Sequence, residues 1–131
     1  MSRVVFLFLV MLSALNAIEW LSYEEGLKLQ AKNDKVIMID VIRTECRFCK
    51  EMEAEVFDNK EMTEWLQKRF IAVKINLDKV DKNSMPLGIT TSFTPSFFFI
   101  DKNGKLLKSL PGAWSIVDFK DLTKNIFKDK K

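Results

Sequence analysis

The stretch Val36-Ile37-Met38-Ile39-Asp40-Val41-Ile42, followed across Arg43-Thr44-Glu45 by Cys46-Arg47-Phe48-Cys49, decides how this chain folds. From Lys35 to Ile42 the residues are apolar and largely β-branched, the pattern of a strand covered on both faces. Cys46 then opens a helix on which Phe48, Cys49, Met52 and Val56 recur, with Glu51, Glu53 and Glu55 between them. The two cysteines are the only ones in 131 residues. A Cys-x-x-Cys pair at a strand-to-helix junction has three chemical readings. A zinc site wants four Cys or His ligands, and this sequence has two Cys and no His, so no metal site is expected. A passive staple across so short a loop gains little from closure and bends the bond geometry. Redox exchange suits the setting, because the unpaired N–H groups of a helix N-terminus favour thiolate at Cys46.

That position makes Cys46 the expected attacking sulfur and Cys49, about one turn further in and more buried, the resolving one. Arg47 adds a cation beside Cys46. Phe48 either offers an apolar face to a partner or packs locally on the sheet. Asp40 lies inside the apolar strand, a costly place for a carboxylate. A buried acid behind the dithiol can raise a thiol pKa and accept the Cys49 proton as that sulfur attacks. Glu53 falls four residues after Cys49 and seven after Cys46, on the same helix face. It either joins that chemistry or is a solvated helix acid.

Working outward, Ser22 is a good N-cap and Glu25 completes a capping box, so a helix is predicted from Tyr23 to about Lys32, ended by Asn33 and Asp34. Asp58 or Asn59 caps a further helical stretch with Met62, Trp65 and Leu66 inward. Arg69 to Leu77 reads as a strand. Lys79 to Ser92 is polar, holds Pro86 and Gly88, and is the least defined part. Ser96 to Ile100 is a strand dominated by Phe97, Phe98 and Phe99, a core stripe. Asp101-Lys102-Asn103-Gly104 makes a hairpin turn, because Asn-Gly adopts positive φ easily. Lys105 to Leu110 returns, Pro111-Gly112 breaks the strand, and Ser115 caps a last helix carrying Val117, Phe119, Leu122, Ile126 and Phe127. The pattern predicts an α/β fold with a central mixed β-sheet flanked by helices and an N-terminal helical extension.

Composition bounds the function. Hydrophobic residues at 47% and charged residues at 30% fit a globular chain, and the net charge of +3 is dispersed, so no nucleic-acid footprint is present. Residues 1–17 read differently: Arg3, an apolar run from Val4 to Leu15 broken by Ser13, then Asn16-Ala17. That is the order of a secretory signal with cleavage after Ala17, leaving a domain over 18–131. The run is short for a membrane span, and an uncleaved N-terminal anchor is the alternative. Export would place the cysteines in an oxidising compartment. No dimerisation segment is evident, so a monomer is the default.

Taken together, these features resemble the thioredoxin superfamily from about Trp20 to the C-terminus. Asp40 stands six residues before Cys46, and Lys50 follows Cys49. Ala72-Val73-Lys74-Ile75-Asn76-Leu77-Asp78 looks like the family's third strand, Thr94-Pro95 precedes an apolar strand, and Gly112-Ala113 precedes the last helix. Within the superfamily the chain looks most like the exported branch related to the C-terminal domain of the thiol–disulfide interchange protein DsbD. The leading helix, Lys35 to Asp40, the run Glu53 to Asp58, and the acid at Glu53 carry that likeness. The resemblance implies a thioredoxin fold whose redox centre is the Cys46–Cys49 disulfide, with no bound cofactor. It implies a cis Pro95 against the dithiol, Thr94 offering its backbone to an extended client, and Lys74 beside Asp40, tuning it. Clients would be protein thiols and disulfides, the electron donor a membrane thiol-relay protein, and the compartment the bacterial periplasm. The chain departs from the family at Glu45, where Trp is common, in its Arg-Phe dipeptide, and in a longer Thr90–Phe93 segment. The leading expectation is a reductant or isomerase of protein disulfides, with a dithiol oxidase, or a redox-gated binding module without catalysis, as the alternatives.

Overall fold

The computed structural model describes residues 17–81 and 85–127. The leader read over residues 1–17 lies outside these apart from Ala17. Helix α1 (Tyr23–Asn33) leads into β1 (Val36–Ile42), α2 (Arg47–Met52), a π-helical turn (Glu53–Phe57) and α3 (Lys60–Arg69). Then follow β2 (Phe70–Asn76), a 3-10 turn (Pro86–Gly88), β3 (Ser96–Ile100), β4 (Leu106–Pro111), α4 (Ile116–Thr123) and a closing 3-10 turn (Lys124–Phe127). The sheet order is β2-β1-β3-β4, with β1 and β2 parallel and the other pairs antiparallel. A parallel pair needs a long crossover, which α2, the π turn and α3 supply. This is the mixed, helix-flanked sheet that the sequence pattern implies.

Local chemistry explains the element boundaries. Ser22 Oγ accepts the Glu25 N–H at 3.1 Å while Glu25 Oε1 accepts the Ser22 N–H at 3.2 Å, a reciprocal capping box that starts α1. Asp34 ends α1 in the left-handed region at φ 59°. Gln30, buried in α1, donates through Nε2 to Lys35 O and Ile100 O, tying the helix to the sheet. Asn59 caps α3 through the Met62 N–H.

Strand alternation sorts the core into two layers. Ile37, Ile39 and Val41 join Ile71, Val73, Ile75, Phe98 and Ile100 on the α1 side. Met38, Phe70, Ala72, Phe97 and Phe99 join Met52, Val56, Phe57, Met62, Leu66 and Phe119 on the side of α2, α3 and α4. The period of two puts Asp40 on that second side with Met38, and Lys74 with Ala72.

β4 ends at Pro111-Gly112 as expected, with Pro111 its last residue, paired with Ser96; β4 is an edge strand, where a missing N–H is tolerated. Two other expectations do not hold. Val117 is 74% exposed, and its neighbour Ile116 packs on the core instead. The stripe read through Val56 does not run on one α-helix, because the Asp58 N–H donates to Glu53 O at 2.9 Å and opens a π turn. The wider turn buries Val56 and Phe57 together.

Candidate active site

The strand-to-helix junction leaves Cys46 as the N-cap of α2. Its backbone is extended, and its sulfur accepts the Cys49 N–H at 3.1 Å, the role a Ser or Asp oxygen plays in an ordinary cap. The same sulfur is bonded to Cys49 as a disulfide. Thr94 Oγ1 donates to Cys46 Sγ at 3.3 Å, and Thr94 O lies 3.4 Å from it. In the disulfide Sγ has no proton, so the carbonyl approach is a contact; a Cys46 thiol at that position could donate to it. The Thr94–Pro95 peptide is cis, and Pro95 O accepts the Gly112 N–H at 2.8 Å. The Thr94-Pro95 loop therefore covers the first cysteine. Cys46 is 7% exposed against 9% for Cys49, so the second cysteine is not the more buried of the two.

Two unlike surfaces flank the disulfide. On one side Phe48, Phe93, Thr94, Pro111, Gly112 and Ala113 line a groove of about 440 Å³ without a charged side chain. Phe48 is 57% exposed and Phe93 68%, so Phe48 faces outward rather than packing on the sheet. On the other side Glu45, Arg47, Lys50, Glu51 and Glu55 line a charged trough beside Cys46. There Arg47 Nε pairs with Glu51 Oε1 at 3.1 Å in open solvent, so its charge is directed to that acid rather than to the sulfur.

The central strand β1 of the sheet carries a buried acid. Asp40 is 2% exposed, and its Oδ1 has no hydrogen-bond partner. Burial pushes its pKa up from the ordinary 3.8 to about 7, with Lys74 pulling down and Glu53 pushing up. Lys74 stands opposite Asp40 in the β1–β2 register. Its Nζ, however, lies 3.0 Å from Glu53 Oε2 and 4.3 Å from the centre of the Trp20 ring. Glu53 is thus an ion-paired acid half-open to solvent, neither a free surface group nor a contact of the sulfurs.

The chain matches the thioredoxin-like domain family over residues 23–127. It is a thioredoxin-like protein. Mouse anterior gradient protein 3 is 29% identical to it over 99 residues, covering 75% of this chain. That match takes in 58% of the mouse protein, less than two thirds of its length. Among solved structures, a thioredoxin from Thermus thermophilus superposes with a TM-score of 0.75 at 20% identity, covering 86% of this chain and 88% of that one. DsbH oxidoreductase superposes with a TM-score of 0.64 at 16% identity, covering 86% and 87%. In this thioredoxin-like protein the two cysteines form a redox-type pair, closed as a disulfide at the start of α2.

The structure brings Thr94 onto the Cys46–Cys49 disulfide, with Arg47 and Phe48 on the surfaces beside it and the cis Pro95 next in the chain, and it groups Asp40, Lys74 and Glu53 with one another. Sequence reading did not single out Phe93 or Trp20. Phe93 had a signal, a lone aromatic in a polar segment next to Thr94-Pro95. Trp20 had none, because only folding brings residue 20 to residue 74.

Proposed function

We propose that this protein is an exported oxidoreductase that reduces or isomerises protein disulfides, related to the branch that includes the C-terminal domain of DsbD. One observation carries the thiol–disulfide chemistry: a cap-position sulfur that receives an N–H and a hydroxyl donor; the buried Asp40, with an unpartnered oxygen, favours the reducing direction. In the dithiol form the Cys46 thiolate attacks a client disulfide, forming a mixed disulfide and expelling the first client thiolate. Cys49 then gives its proton to the Asp40 carboxylate and attacks Cys46 Sγ, releasing the second client thiolate. The protein loses two electrons and the client disulfide gains them. Lys74 and Glu53 tune Asp40, while Arg47, Phe48, Thr94 and Pro95 form the client-facing rim. Renewing the dithiol after export needs a donor, for which a membrane thiol-relay protein is the fitting class. The mature chain starts at Ile18 and acts as a monomer in the periplasm.

The two donors on Cys46 Sγ also favour a second reading, because hydrogen bonds to a thiolate stabilise the reduced form and make the disulfide a stronger oxidant. Redox equilibration of the oxidised protein with glutathione or dithiothreitol buffers separates the readings. A potential near about −270 mV supports the reductant, and one near about −120 mV supports a dithiol oxidase. Insulin-disulfide reduction by the dithiol protein checks turnover: Cys46→Ser is expected to abolish it, and retained activity would remove Cys46 as the nucleophile.

A further inference from the structure

Lys74 is the cation nearest to Asp40 along the sheet, yet no ion pair joins them among the described residues, whereas Lys74 does pair with Glu53. The ammonium has two anchors. Glu53 Oε2 holds it at 3.0 Å, and the face of Trp20 lies 4.3 Å away, a cation–π arrangement at its favourable distance. The ring is itself fixed. Leu21 bridges Val73 as a short parallel addition to β2, through Leu21 N–H to Ala72 O at 2.9 Å and Lys74 N–H to Leu21 O at 3.2 Å. The Trp20 ring meets Phe57 edge to face at 5.1 Å. The segment before α1 therefore runs along the edge of β2 and takes hold of Lys74, the cation of the Asp40–Lys74–Glu53 group.

We infer that Trp20 and Glu53 are positioning residues that together hold the Lys74 ammonium away from the Asp40 carboxyl, so that Asp40 stays unpaired and able to exchange a proton. A lysine released from both anchors would find Asp40 as the other acid on this face of the sheet. Pairing with it would stabilise the carboxylate and strip Asp40 of its affinity for a proton near neutrality. The groups facing Asp40 are few. Lys74 faces it from β2 and Glu53 from the π turn; β3 presents the neutral Phe97 opposite it, and the disulfide of α2 does not titrate. The functional consequence, a base poised for the Cys49 proton, rests on the oxidoreductase mechanism proposed above; the placement of Lys74 does not.

The test follows Asp40 itself, by carboxyl carbon-13 NMR titration of the oxidised full-length protein, which needs no turnover. Trp20→Leu and Glu53→Gln are each expected to lower the Asp40 midpoint, and the double variant to lower its proton affinity about tenfold or more. Trp20→Phe keeps the packing on Phe57 with a weaker cation–π partner, so it should move the midpoint part of the way and guards against a folding defect. In a Lys74→Met background the Trp20 substitution should change nothing. A midpoint unmoved or raised by the Trp20 substitutions, or lowered equally without Lys74, overturns the inference. If the Asp40 midpoint behaves as expected but insulin reduction is absent, the positioning stands and the proposed activity fails.

Discussion

The two faces of the sheet are built differently. Among the described residues, the core cluster on the α1 side is aliphatic apart from Phe98, with Tyr23 packed against it, and none of its side chains is charged. Contact there is so close that a Cβ on Gly26 would sit 2.6 Å from Val73 Cγ2. The other side is aromatic, with Phe57 edge to face against Trp20, Phe97 and Phe119. On that aromatic side, by strand alternation, lie Asp40 and Lys74. The aliphatic cluster holds no charged side chain, while the aromatic side bears the cost of keeping an acid out of water.

The largest effect that would break this comparison is at Phe57, buried at the centre of the aromatic cluster. Phe57→Ala should cost about 3 to 5 kcal/mol in urea unfolding, and a loss under about 1 kcal/mol would show that the aromatic layer is not a tightly packed core. Next comes Asp40→Asn. With a folded pKa raised from 3.8 to about 7, the native state holds a proton that the unfolded chain releases between those values. Stability from this group is thus full below about pH 4 and falls as pH rises through about 7, by on the order of 4 kcal/mol. Asp40→Asn in the oxidised protein should be near neutral at pH 4 and stabilising by a few kcal/mol at pH 8. A gain equal at both pH values would mean that Asp40 does not titrate in this way. The smallest effect sharpens the aliphatic side. Gly26→Ala gains helix propensity of up to about 1 kcal/mol but drives a methyl into Val73, whose branched side chain cannot rotate aside easily. A net loss of about 1 to 2 kcal/mol is expected, relieved when Val73→Ala is added. Additive losses in the double variant would show that the two groups do not meet.

Much of this division was legible in the chain. The β-branched run around Asp40 marked a doubly covered strand, Ser22 with Glu25 marked the start of α1, and Cys46 to Cys49 marked the reactive junction. These are local signals, written in hydrogen-bonding groups and side-chain shape within a few residues. The partners of the charged groups were not legible. Arg47 adjoins Cys46 in sequence yet pairs with Glu51 one turn on, because solvent-exposed helix spacing brings those two together. Cys49 looked the more sheltered sulfur until the Thr94-Pro95 loop, distant in sequence, closed over Cys46. Glu53 stood in a helical pattern, but the π turn and β2 gave it Lys74.

By itself the sequence determined the order of strands and helices, the apolar runs that became β1 and β3, and the site of the dithiol, since each depends on periodicity and capping along a short stretch. Only the tertiary structure decided which carboxylate Lys74 holds, that Trp20 shares that hold, and that Phe93 joins Phe48 beside the disulfide. Those pairings join segments far apart in the chain, and a charge or a ring settles on whichever partner the packed sheet brings within a few ångströms of it.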